Sequence, residues 1–100
     1  MNINVQYNGT TAIVSPKGFV DEHTAPIFKG KLDDLISHRV KTVRLDMSGV
    51  DFMDSTGVGV LLSRYKTMRA NGIDLTLSNC NGQVDKLFRL TGIYTIIKVR

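Results

Sequence analysis

The strongest pattern in the chain joins a strand-like run to an amphipathic helix. Thr42-Val43-Arg44-Leu45-Asp46-Met47 alternates apolar and polar residues, the period of a half-buried strand. Further on, Val58, Leu61, Leu62, Tyr65 and Met68 fall at i, i+3, i+4, i+7 and i+10, one face of a helix. That spacing predicts a helix from about Gly57 to Ala70. Asn71-Gly72 supplies a left-handed stop behind it. Between strand and helix lies Phe52-Met53-Asp54-Ser55-Thr56-Gly57-Val58-Gly59, in which an acid, two small hydroxyl residues and two glycines are crowded together.

The rest of the chain is read the same way. Asn4-Val5-Gln6-Tyr7 is strand-like, Asn8-Gly9 is a two-residue hairpin signal, and Thr10 to Val14 runs back, with Pro16 and Gly18 marking the end of that second strand. Thr24 is the expected cap of a first helix, with Pro26 in its first turn. Phe28, Leu32, Leu35 and Ile36 form its apolar stripe, Gly30 weakens it, and it is expected to end near His38-Arg39 with basic residues at its C-terminal end. Ile73 to Ser78 reads as a strand with Ile73, Leu75 and Leu77 on one face. Asn79 to Gly82 reads as a loop. Val84, Leu87 and Phe88 mark a third helix closed by Thr91-Gly92, and Ile93 to Val99 is a last β-branched strand. The expected architecture is α/β: a single domain over residues 1–100, with a mixed sheet, an N-terminal antiparallel hairpin, parallel crossovers and amphipathic helices packed on the sheet.

Composition adds limits. One hundred residues, 42% of them hydrophobic, suit one small domain with a single core. Cys80 is the one cysteine, so no internal disulfide forms, which fits a reducing compartment. No apolar run has membrane length, and the first residues lack the basic and apolar regions of a signal peptide, so the expected location is the cytoplasm, off the membrane. The net charge of +4 is spread from Lys17 to Arg100 without aromatic interleaving, which argues against direct nucleic-acid binding.

The central motif is the place to look for chemistry. Ser55 or Thr56 should stand at a helix N-terminus, where free N–H groups and the helix dipole favour negative charge. A cap alone accounts for Asp54, Ser55 and Thr56 as residue types. The P-loop spacing is absent, and Leu62 stands where a dinucleotide fingerprint needs a small residue. A Ser55 nucleophile would need a base, and only His23 and His38 are available, without the hydrolase elbow around the serine. Two scattered histidines and one cysteine have no metal-ligand spacing. Neither a catalytic residue, a cofactor nor a metal is expected.

The run from Leu45 through Asp51-Phe52-Met53-Asp54-Ser55-Thr56-Gly57-Val58-Gly59-Val60-Leu61 resembles the signature of STAS domains of the anti-sigma factor antagonist type: an apolar strand, then Asp-Ser-Ser/Thr-Gly-Leu-Gly, then an amphipathic helix. Gly18-Phe19-Val20-Asp21 with Thr24-Ala25, and residues 84–92, are similar to that family's first loop and third helix. Val58 stands where leucine is more usual. Many relatives carry a further helix after the last strand, where this chain stops at Arg100.

The resemblance implies a non-catalytic switch protein. Its unphosphorylated form would bind an anti-sigma factor that is also a serine kinase with a histidine-kinase-like ATP site, freeing a sigma factor. Phosphorylation of Ser55, with Thr56 the second candidate, would switch that binding off, and a serine phosphatase would restore it. Asp21, Asp54, Ser55, Thr56, Gly57 and Val58 would form the partner surface of a protein that is a monomer when free. Two other outputs fit the same resemblance: a regulatory subunit of an ABC-type transporter that is not phosphorylated, and partner switching that controls secretion or motility.

Overall fold

The computed structural model describes all residues from Met1 to Arg100. β1 (Asn2–Asn8) and β2 (Thr11–Val20) form the antiparallel hairpin, closed by the pair Asn8–Thr11. The two loop residues are therefore Gly9 and Thr10, one step along from the expected Asn8-Gly9. Gly9 has φ +62° while Thr10 stays out of the left-handed region. Only the first central position needs glycine, as in a type II′ turn.

β2 does not stop at Pro16 and Gly18, because it changes partner part-way along. Residues 11–14 pair parallel with β3 (Thr42–Asp46), and residues 18–20 pair parallel with β4 (Val50–Met53). Pro16 falls between the two ladders, where no parallel strand needs its missing N–H. Gly18, at φ +101°, stands where the register shifts. β4 is a separate strand that alternation misses: Val50 and Met53 are buried, and Asp51 and Phe52 between them are exposed. The turn from β3 into β4 needs Gly49, since a Cβ there would lie 2.9 Å from Lys17 Cγ and 3.0 Å from the Pro16 carbonyl oxygen.

α1 (Ala25–Ile36) starts behind Thr24 and buries Phe28, Leu32 and Leu35. It ends two residues before the expected point. Ser37 caps it and Arg39 turns left-handed at φ 55°, so His38 and Arg39 lie beyond its last turn. α2 (Ser55–Ala70) starts two residues earlier than its stripe suggested, directly behind Asp54. β5 (Asp74–Ser78) lies between β3 and β6 (Lys98–Val99) and is buried on both faces from Leu75 to Ser78. α3 (Gly82–Thr91) ends on Gly92, left-handed at φ 74°.

The last segment corrects the expectation of a strand from Ile93 to Val99. Ile93–Thr95 is a 3₁₀ turn, and only Lys98–Val99 pairs with β5. The Ile97 amide donates to the Ile93 carbonyl at 2.9 Å, and the buried side chains are Ile93 and Ile97, four apart. The segment is thus coiled by a helical spacing of its apolar residues, which outweighs β-branching.

The register sets Ala12 beside Val43 and Val43 beside Leu75, and likewise Val14 beside Leu45 and Leu45 beside Leu77, on one face of the sheet. α1 and α2 cover that face and join these residues in one core. Asp33 ties the helices together, pairing with Lys29 at 3.1 Å on α1 and with Arg64 on α2. No helix of the chain is long and apolar enough to cross a membrane.

Candidate functional site

β2 and β4 run parallel, with Val20 opposite Met53 at their ends. The next residue on each strand is an aspartate, so Asp21 and Asp54 lie side by side where the two chains leave the sheet. The Asp54 amide donates to the Val20 carbonyl at 3.2 Å, which closes this junction. The pairing of two distant segments thus assembles the acids singled out in the sequence.

Each acid caps the segment that follows it. Asp54 Oδ1 accepts from the Thr56 amide at 2.9 Å and the Gly57 amide at 3.3 Å, two of the orphan donors of α2. Asp21 Oδ1 accepts from the amides of His23 at 2.9 Å and Thr24 at 3.2 Å. The Thr24 amide, with help from that of His23, holds the Asp21 carboxyl below the ordinary carboxylate value against a smaller opposing effect of burial. Thr24 completes the turn: its hydroxyl accepts from the Asp21 amide at 3.0 Å and donates to the Phe19 carbonyl at 2.8 Å.

Ser55 is the first residue of α2 and is exposed, as is Thr56. Asp54 already holds the first-turn amides, and neither hydroxyl is drawn into the fold by a hydrogen bond. Gly57 and Val58, also on the predicted surface, are instead buried. A Cβ on Gly57 would sit 2.6 Å from Met53 Cγ and 2.9 Å from Val20 Cγ1, so glycine here lets the helix start press onto the ends of β2 and β4. Gly59 is exposed, and a Cβ there would meet nothing within 4 Å. The two glycines of one motif therefore do different work: one faces the core and the other opens the surface.

Two features escaped the sequence reading. Phe19 and Phe52 are opposite each other on β2 and β4, with ring centroids 5.7 Å apart, and are 56% and 38% exposed. They flank the acids with an apolar patch, which only knowledge of the strand pairing reveals. The second is Gln83 at the start of α3. Its side-chain oxygen accepts from the Met53 amide at 2.9 Å, and its side-chain nitrogen donates to the Met53 carbonyl at 2.8 Å. Gln83 thereby acts as a one-residue strand on the open side of β4. No local signal marks it, because the partners are 30 residues apart.

His23 is not brought to Ser55 as a base. Its side chain is 84% exposed and faces Glu22, 3.7 Å away. The site presents a free hydroxyl at a helix N-terminus, two carboxylates engaged as caps, and an aromatic pair, an arrangement that offers a surface for modification and contact.

The chain belongs to the STAS domain family, which it matches over residues 2–100. It is 31% identical over 99 residues to the anti-sigma-B factor antagonist of Bacillus subtilis, an alignment covering 99% of this chain and 90% of that protein. Its fold is similar to that of an anti-sigma factor antagonist from Mycobacterium paratuberculosis, with TM-score 0.89 at 19% identity over 98% of this chain and 83% of the other. It is also similar to the Bacillus cell-fate determinant SpoIIAA in its phosphorylated form, with TM-score 0.76 at 23% identity over 99% and 91% of the two chains. At these identities the structural likeness is one of fold.

Proposed function

We propose that this chain is an anti-sigma factor antagonist switched by phosphorylation of Ser55. The observation that carries the reading is the placement of Ser55: exposed, first in α2, with a free hydroxyl beside the Asp21–Asp54 junction. The name of the B. subtilis relative supports the partner class, and the phosphorylated form of SpoIIAA supports the modification. The partner is an anti-sigma factor that is also a serine kinase, and a serine phosphatase resets the switch.

The physics of the switch is local. A phosphate adds about −1.5 to −2 charges at neutral pH. At the N-terminus of α2 the dipole tolerates that charge, so the fold persists. The same charge lands beside Asp54 and Asp21, on a surface whose partner accepts a small neutral hydroxyl. Like charges and trapped polar groups at an interface cost on the order of several kcal/mol, enough to release a partner.

The test is intact mass after incubation with ATP and the serine-kinase anti-sigma factor of the same genome. One added phosphate, absent in Ser55→Ala, is the expected result. A phosphate retained in Ser55→Ala moves the acceptor to Thr56. No phosphate and no binding would reject the reading in favour of a transporter subunit that docks without modification.

A further inference from the structure

The two edges of the sheet are unlike. β6 is two residues long and lies among Lys98 and Arg100, a short basic edge that repels added strands. β1 is seven residues long and contains no charge, proline or glycine. Its register with β2 is unbroken from Asn2 opposite Lys17 to Asn8 opposite Thr11, so no bulge turns the edge away.

The hairpin fixes which groups of that edge are free. The Thr10 carbonyl points at β3, accepting from the amides of Lys41 at 2.8 Å and Thr42 at 3.3 Å. Backbone direction alternates along a strand, so the even-numbered residues of β2 bond to β3 and the odd-numbered ones to β1. Thr11, Ile13, Ser15 and Lys17 are opposite Asn8, Gln6, Asn4 and Asn2, which are thus bonded within the hairpin. The amides and carbonyls of Ile3, Val5 and Tyr7 point outward, with no strand to meet them.

By residue type, though not by identity, this edge reads the same in both directions. Asn2-Ile3-Asn4-Val5-Gln6-Tyr7-Asn8 alternates amide and apolar residues symmetrically about Val5. Beside it, α1 and β1 leave a groove of about 440 Å³ lined by Met1, Ile3, Ile27, Gly30, Lys31 and Asp34 among others. Ile27, in that lining, is 53% exposed, and Tyr7, on the same face of β1 as Ile3, is 55% exposed.

Against the expectation of a free monomer, we propose that β1 pairs antiparallel with β1 of a second copy of this chain, about a two-fold axis at Val5. In that register Val5 meets Val5, Ile3 meets Tyr7, Asn4 meets Gln6 and Asn2 meets Asn8. The outward backbone groups are then satisfied, amides oppose amides, apolar residues oppose apolar ones, and no charges confront each other. The symmetry of the edge about its own centre favours a second copy over an unrelated extended segment, because a two-fold contact needs a self-complementary patch. The two grooves come to the same side of the joined sheet. Each brings one cation, Lys31, and one anion, Asp34, so the combined patch is charge-balanced while Ile27 and Tyr7 lose contact with water.

Sedimentation equilibrium of the full chain tests this. The mass should rise with concentration from 11.1 kDa toward twice that value. Asn4→Lys/Gln6→Lys sets lysines opposite one another across the axis and should raise the dissociation constant by at least about tenfold. Asn4→Glu/Gln6→Glu should do the same alone. An equimolar mixture of the two variants should recover the dimer, which a misfolded variant cannot do. A wild type that stays at protomer mass near 1 mM, on the order of the weakest specific affinities, overturns the proposal. So does a dimer untouched by the lysines, or a mixture that fails to recover.

Discussion

Gln83 holds Met53 by both of its backbone polar groups, at 2.9 Å through the amide and 2.8 Å through the carbonyl. Met53 is buried and immediately precedes the Asp54 cap, so this clamp sets where α2 begins. Gln83→Leu leaves one donor and one acceptor of the partly buried backbone unpaired, a loss of about 1–3 kcal/mol. Gln83→Glu keeps the acceptor for the Met53 amide but sets a carboxylate oxygen against the Met53 carbonyl. Urea unfolding should show both variants destabilised. Wild-type stability in both would mean the clamp is replaced by water at no cost.

The two glycines of the motif should answer alanine with opposite signs. Gly57→Ala pushes a Cβ to 2.6 Å from Met53 Cγ, an overpacking expected to cost about 1–3 kcal/mol. Gly59→Ala meets open space within a helix and should gain about 0.5–1 kcal/mol. Thermal melts of the two variants decide it, and shifts of the same sign would contradict the assignment.

How much of this was legible depended on whether the signal was local. The apolar stripe of α2 and the Gly92 stop are written within a few residues of where they act and are readable, whereas Asp54, Ser55 and Thr56 all suit a cap by type, so which of them caps α2 is not. β2 was cut short because Pro16 and Gly18 are breakers by type, and their meaning changes once the strand switches partner between them. β4 was missed because its four residues are buried at the ends and exposed in the middle. Ile93 to Val99 looked like a strand by β-branching, whereas the placement of Ile93 and Ile97 in the core is helical. In the site, Asp21 and Asp54 could be named singly, but their proximity follows from a parallel pairing that no local pattern encodes. The Phe19–Phe52 pair and the Gln83 clamp depend on the same long-range contacts.

The alkaline limb of stability should run through Tyr94. Burial, then its hydrogen bond to Asp85 at 2.6 Å, raises the Tyr94 phenol above its ordinary value of 10.0. The neutral phenol is therefore favoured in the folded chain. Its contribution is fully present below about pH 10 and is lost as pH rises, because the unfolded phenol ionises first. Asp85 behaves in the opposite sense: Tyr94 and Arg89 lower its value from 3.8, so its contribution holds above that value and fades as pH falls through the lower folded one. Urea midpoints at pH 7 and pH 11 should fall less in Tyr94→Phe than in the wild type. Equal losses would assign the alkaline limb to another group.

The aromatic pair should dominate partner affinity without contributing much to the fold. Phe19 and Phe52 keep 56% and 38% of their surface exposed, yet their rings lie 5.7 Å apart on the strand ends that lead to Asp21 and Asp54, next to the proposed acceptor Ser55. Exposed aromatics next to a modification site are the kind of residue that fills a partner's pocket, and truncating such an anchor costs about 2 kcal/mol or more, roughly 30-fold in affinity. Phe19→Ala and Phe52→Ala should each weaken binding to the anti-sigma factor by that factor in calorimetry, with far smaller changes in melting temperature. Residues in contact do not add independently, so the double variant should lose less than the product of the single losses. The proposed phosphorylation of Ser55 would act through charge and should still reduce whatever binding the single variants retain. Wild-type affinity in both single variants would remove the pair from the interface and leave the switch to the polar residues alone.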